Sequence, residues 1–224
     1  MTGVLLEARA IHKSFGRTQA LRGASFAVDA GEVVAITGPS GSGKSTLMLS
    51  AAGVLRPESG SVSYDGTVLD DLSENDRTRL RRREFGLVLQ FGQLVPELSA
   101  LQNVLLPLLL ERHERGAATT AARGWLERLG AEHLAESLPG ELSGGEAQRV
   151  AIARALVSGP RVIFADEPTG ALDTVSGEQV LQTLLKVAHE SDASLVLVTH
   201  DNRVAATADR EVTLRDGMVE DGAS

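Results

Sequence analysis

The chain contains no cysteine. Disulfides and thiolate metal sites are therefore excluded, and a reducing compartment is permitted. Positive charge is in deficit: 22 Lys and Arg against 30 Asp and Glu give a formal net charge of -8. An acidic surface repels nucleic-acid phosphates, so general DNA or RNA binding is not expected. Long apolar runs are missing as well. The longest candidate, "VLLPLLL" from Val104 to Leu110, is broken by Pro107 and falls far short of the ~20 residues that span a bilayer. The opening "MTGVLLEARAIHKSFG" lacks the basic head and apolar stretch of a signal peptide. Any action at a membrane is expected to pass through a partner. Neither an internal repeat nor a low-complexity linker interrupts the 224 residues, which suffice for one sizeable core with a smaller lobe.

The patterns that are present read as α/β. "GVLLEARAIHKSF" is a first strand, and "ASFAVDAGEVVAITG" gives two strands joined at "DAG". In "SVSYDGTVL" the pair Asp65-Gly66 between β-formers predicts a hairpin, because a tight primed turn needs positive φ. "STLMLSAAGVL" reads as a helix, and "DLSENDRTRLRRREF" as another, capped by Ser73 three residues before Asp76. Its arginine run, Arg77 to Arg83, reads as a solvated helix face; anionic lipid or a membrane partner is the sharper alternative. From "ALQNVLLPLLLE" to "AEHLAESLP" the pattern is helical, and Trp125 falls at packing positions with Leu126 and Leu129. "RVIFAD" and "SLVLVTH" are unbroken apolar runs of the kind that sheets bury on both faces. Between them Val180, Leu181, Leu184, Leu185 and Ala188 share one helical face, so the order strand, helix, strand implies a parallel sheet. "EVTLRDGMVED" is a final hairpin around Asp216-Gly217.

The stretch Gly38-Pro39-Ser40-Gly41-Ser42-Gly43-Lys44-Ser45-Thr46 follows an apolar strand and opens a helix. It matches the phosphate-loop pattern of glycine, four residues, glycine, lysine and serine. Gly41 and Gly43 let backbone wrap closely around an anion, and successive N–H groups with the helix N-terminus point at it. Lys44 adds a positive charge for the β- and γ-phosphates, and the Ser45 hydroxyl can ligate Mg²⁺. The bland reading, a glycine-rich turn with a surface lysine, does not account for the strand-loop-helix context.

"RVIFADEPTGALD" ends an apolar strand with Asp166-Glu167. Acids at the carboxyl end of a buried parallel strand lie where α/β folds bind ligands. Asp166 is expected to hold Mg²⁺, directly or through water, and Glu167 to orient or deprotonate the attacking water. A solvated acid pair in a loop is the alternative.

"GPSGSGKST", "LSGGEAQR", "VIFADEP", "GALD" and "VTHD" stand in the order and approximate spacing of the ATP-binding cassette (ABC) ATPases. The chain resembles that family over essentially its whole length, and five motifs in order are highly specific. The resemblance implies an α/β P-loop fold with a RecA-like parallel-sheet core, an N-terminal antiparallel β subdomain and an inserted α-helical subdomain. Residues 1–90 and 150–224 are then the catalytic core, and 91–149 the helical signature subdomain. It further implies two cassettes packed head to tail, each ATP lying between one chain's phosphate loop and the other's "LSGGEAQR". That explains why this second glycine stretch has no lysine: Ser143, Gly144 and Gly145 supply a hydroxyl and N–H groups to a γ-phosphate already held by the facing chain. The helix expected to start near Glu146 adds its positive end.

Further roles carry over by motif. Gln90 in "LVLQF" resembles the Q-loop glutamine that contacts Mg²⁺ or water. Asp173 in "GALD" resembles the aspartate that crosses the dimer interface. His200 resembles the switch histidine on the γ-phosphate, and Phe15 takes the place of the aromatic residue that stacks on adenine. Ala147 replaces a glutamine common in the family, with little expected consequence. His12, His113, His133 and His189 lack any such context. The resemblance implies an ATPase subunit at the inner face of the cell membrane, bound to a permease on a separate chain. A homodimer suffices, since all motifs are intact. The text "FGQLVPELSALQNVLLPL" with "DEPTGALD" looks like the subgroup serving lipoprotein release, macrolide export and cell division. Two other readings stay open: an ATP-driven switch controlling an extracytoplasmic enzyme, and a soluble assembly ATPase.

Overall fold

The computed structural model describes residues 3–90, 93–170 and 172–220. Phe91 and Gly92 of the segment after Gln90, Ala171 of "GALD", and Asp221 of the last expected hairpin lie outside the described residues. The chain packs as two compact units, one of residues 1–81 and 192–224, the other of 82–191. The division falls at 81/82 and 191/192, beside the 90/91 and 149/150 expected from the motifs, and the strand that ends in Asp166 lies in the same unit as the helices.

The first unit opens with long strands β1 (Val4–Phe15) and β2 (Thr18–Asp29). With β4 (Ser59–Tyr64) and β5 (Thr67–Val68) they form an antiparallel sheet in the order β2-β1-β4-β5. The β4–β5 turn has positive φ at both Asp65 and Gly66, as the sequence required. A second sheet in this unit places β3 (Val33–Thr37) between β8 (Ser194–Val198) and β9 (Arg210–Arg215), parallel to both. Strand β10 (Met218–Val219) pairs antiparallel with β9 around Asp216-Gly217. The apolar runs are buried as expected: Val34, Ala35, Ile36 and Leu195 to Leu197 have no exposed surface. Helix α1 (Lys44–Ala51) follows β3, and α7 (Asn202–Ala205) follows β8. Helix α2 (Glu74–Glu84) contains the point where the chain passes into the second unit. Its arginines are largely engaged: Arg77 is buried and paired with Glu74, and Arg81 donates to the Gly53 carbonyl.

The second unit pairs β6 (Phe85–Val88) parallel with β7 (Val162–Asp166). The Phe85 and Phe164 rings meet edge to face at 5.2 Å. Its helices are α3 (Ala100–Leu110), α4 (Arg115–Arg128), α5 (Gly144–Leu156) and α6 (Thr174–Glu190). Helix α3 runs through Pro107, in the segment the sequence pattern marked as helical. The proline sits in the last turn, where its absent N–H costs a single ladder bond. The buried Asn103 amide spends its bonds on the carbonyls of Val95, Leu98 and Ser99 and on the Val95 N–H. It thereby fastens the segment after Gln90 onto α3. Val180, Leu181, Leu184 and Ala188 are the buried stripe of α6, with Leu185 half-buried at its edge.

Candidate active site

Three of the predicted features, the phosphate loop, Phe15 and His200, fall in the first unit. The register pairs Ile36 with Val198, so the chain leaves β3 and β8 at the same end of the sheet. The phosphate loop follows β3 there, and His200, which is exposed, follows β8 after the buried Thr199. The loop's glycines are forced. Gly38, Gly41 and Gly43 all have positive φ. A Cβ on Gly38 would stand 2.0 Å from the Leu214 carbonyl oxygen, and one on Gly43 2.4 Å from that of Ala20. The β9–β10 turn buttresses the loop: the Gly217 N–H donates to the Ser42 carbonyl at 3.0 Å, and the Gly217 carbonyl accepts from Arg22 N–H at 2.8 Å.

Lys44 is buried and its ammonium donates to the Gly38 and Pro39 carbonyls at 2.8 and 2.9 Å. The charge thus lies over the loop. The Ser42 hydroxyl is buried with no hydrogen-bond partner, while Ser40 and Ser45 are exposed and Thr46 half-buried. Helix α1 begins at Gly43 with no side-chain cap. The other six α-helices of the described residues each carry one, from Ser73, Ser99, Glu114, Ser143, Asp173 and Asp201. Uncapped N–H groups behind a glycine loop and beside a lysine are an anion site of the phosphate-binding type. Phe15, at the end of β1, exposes half its surface, with the Lys13 ammonium 5.7 Å above the ring.

The other predicted residues fall in the second unit. Val88 pairs with Ala165, so Gln90 and the acids Asp166 and Glu167 leave the same end of β6 and β7. Asp166 is buried as the last residue of β7. Glu167 adopts φ +46, a left-handed conformation uncommon outside glycine. The chain bends here between the two acids, and Gly170 N–H closes the following turn onto the Glu167 carbonyl at 3.0 Å. Hydroxyl, carboxylate and amide oxygens at Ser45, Asp166 and Gln90 are the hard donors Mg²⁺ takes. Among the described residues no group of three or more His, Asp or Glu could hold a metal on its own.

"LSGGEAQR" is a capped helix start. Helix α5 begins at Gly144, two residues before the expected point, so both glycines belong to its first turn. Ser143 is the N-cap: its hydroxyl accepts from the Glu146 N–H at 3.3 Å and donates to Glu146 Oε2 at 2.8 Å. The Ser143 N–H donates to the same carboxylate oxygen at 2.8 Å. These bonds hold Glu146 below the usual carboxylate range, with help from Arg149 and His133. Asp173 caps α6, its carboxylate accepting from the Val175 and Ser176 N–H groups, and its pKa is lowered by the bonds with Ser176. Two contacts beside the predicted residues had not been named from the sequence. Glu146 was readable, because Ser143 and Glu146 form the capping-box pattern. Arg154, which reaches from α5 to the Gln93 carbonyl at 3.1 Å, carried no local signal.

Comparison with known proteins shows the family. The family model described as "ABC transporter" matches residues 21–170. The chain belongs to the ABC transporter ATPases. It is 44% identical over 213 residues to the lipoprotein-releasing system ATP-binding protein LolD of Hyphomonas neptunium, covering 95% of this chain and 93% of that one. It is 46% identical over 224 residues to the LolD protein of Bordetella pertussis, covering 98% and 96%. Among solved structures it matches a dimeric post-hydrolysis state of the ATP-binding cassette MJ0796 bound to ADP and Pi. That match has a TM-score of 0.92 and 38% identity, covering 96% of this chain and 97% of that one. This chain is an ATP-binding and ATP-hydrolysing subunit of a transporter, with the α/β cassette fold. Among the described residues no helix is long and apolar enough to cross a membrane.

Proposed function

We propose that two copies of this chain close around two ATP molecules and drive a separate membrane permease of the lipoprotein-release type. The observation that carries the reading is the bare N-terminus of α1, left without a side-chain cap behind a loop in which backbone carbonyls leave no room for a Cβ on Gly38 or Gly43. The LolD relatives and the dimeric cassette support the rest.

In this reading the loop N–H groups from Gly38 to Thr46 and the Lys44 ammonium hold the β- and γ-phosphates, and Phe15 stacks on adenine. Lys44 exchanges its two loop carbonyls for phosphate oxygens. Ser45, Asp166 and Gln90 would hold Mg²⁺, which neutralises charge developing on the phosphates. Glu167, set off the strand by its left-handed backbone, takes a proton from or orients the attacking water. His200 donates to the γ-phosphate. Ser143 with Gly144 and Gly145 meets the γ-phosphate bound by the other copy, and Asp173 crosses the same interface. Closure is driven by differential affinity for ATP over its products. Residues 91–149 pass the motion to the permease, so the subunit works at the cytoplasmic face of the membrane.

Glu167→Gln tests the chemistry. ATP affinity is expected to stay within about twofold while turnover falls roughly 10²- to 10⁴-fold, and an ATP-bound dimer accumulates on sedimentation. Rapid multiple turnover by this variant overturns the assignment. Co-purification with a permease after detergent extraction tests the coupling.

A further inference from the structure

The bonds around Ser143 create a competition that the dimer must resolve. Its hydroxyl has one proton, and it donates that proton in a hydrogen bond to Glu146 Oε2. Its backbone N–H is directed to the same oxygen. Both donors are therefore occupied within the chain, by a group that carries a full negative charge near neutral pH. This point rests on the proposed cross-chain contact between Ser143 and the other copy's γ-phosphate. A hydroxyl cannot donate to a carboxylate and a phosphate at once. The like-charged carboxylate also lies one hydrogen bond from where the phosphate must arrive.

We infer that Glu146 is a positioning residue for ATP-dependent closure: it holds the Ser143 hydroxyl in a self-satisfied capping box that opens when the facing γ-phosphate accepts the hydroxyl's hydrogen bond in its place. The box raises the ATP concentration needed to close the dimer and, once the γ-phosphate has gone, recaptures the hydroxyl and favours release. The depressed pKa of Glu146 agrees with a strong, charge-assisted bond. The cost falls on closure because the free cassette is the state in which the bond is intact.

Glu146→Gln separates this from a merely structural cap. Glutamine at this position still completes a capping box, but as a neutral and weaker acceptor. In a Glu167→Gln background, the ATP concentration giving half-maximal dimer by light scattering is expected to fall about fivefold, the scale of one hydrogen bond losing its charge assistance. ADP affinity of the single cassette stays the same, and thermal stability stays level or drops slightly. A structural cap alone predicts unchanged or weaker dimerisation, and either result overturns the inference. Ser143→Ala is the control on the underlying reading. If Ser143→Ala leaves dimerisation unaltered, the cross-chain contact itself fails. If it weakens dimerisation while Glu146→Gln does not strengthen it, only the role of Glu146 fails.

Discussion

The carbonyl oxygen of Leu214 stands 2.0 Å from the position a Cβ would take on Gly38. The phosphate loop is therefore moulded against strand β9, more than a hundred residues later in the chain. Gly43 meets the Ala20 carbonyl in the same way, whereas a Cβ on Gly41 would enter open space. Gly38→Ala and Gly43→Ala should each displace backbone and abolish nucleotide binding. Gly41→Ala carries only the cost of a left-handed alanine, about 1–2 kcal/mol. Thermal unfolding and titration with a fluorescent ATP analogue check the ranking; an equal or reversed order would show that the backbone contacts are not limiting.

The loop itself was legible because its requirements are local: spacing, a preceding strand and a following helix. The two carbonyls that make Gly38 and Gly43 obligatory were not, because Leu214 and Ala20 are distant in sequence and reach the loop only in the fold. The same division runs through the chain. The Asp65-Gly66 and Asp216-Gly217 turns and the apolar strands followed from local pattern. The helical pattern over "ALQNVLLPLLLE" held through Pro107 as well, where packing of Val104, Leu105 and Leu108 outweighs one missing ladder bond. For "LSGGEAQR", attention to the glycines drew the helix start past Gly144, although the Ser143 and Glu146 pair marks it.

Phe15 exposes half its surface in the free cassette, with the Lys13 ammonium over its ring. If it stacks on adenine, Phe15→Ala should weaken ATP binding by about 1–3 kcal/mol with almost no change in melting temperature. Phe15→Tyr should match the parent. Isothermal titration with ATP measures both, and equal affinity for the alanine variant would assign adenine recognition elsewhere.

Glu111, at the end of α3, lies between two guanidinium groups, 3.0 Å from Arg82 Nε and 2.6 Å from Arg83 Nε. The Arg83 contact is an aligned hydrogen bond, whereas Arg82 Nε has the distance without the alignment. The carboxylate is mostly buried, so its loss leaves two adjacent positive charges without a counter-ion. Glu111→Gln should destabilise by about 1–3 kcal/mol, seen as a lower urea midpoint at unchanged slope. Adding Arg82→Gln should return part of that loss by relieving the repulsion. Further destabilisation by the second change would show that Arg82 packs for its own sake.

Glu114, Glu146, Asp173 and Asp201 share one electrostatic signature. Each caps or completes the cap of a helix, and each is held below the usual carboxylate range by hydrogen bonds to its charged form, for Glu114 from the Gly116 and Ala117 N–H groups. A lowered folded pKa means that the unfolded chain binds more protons in the acid range. The stabilisation is therefore complete above the ordinary carboxylate pKa and is lost as pH falls through the depressed folded values. Melting temperature should be flat near neutrality and decline steeply in acid. Glu114→Gln isolates one contribution, because α4 lies apart in sequence from every residue assigned to ATP. The gap in melting temperature between parent and variant should be widest near neutral pH and close as the solution is acidified. A gap that stays constant across that range would mean that the Glu114 cap works by shape and not by charge.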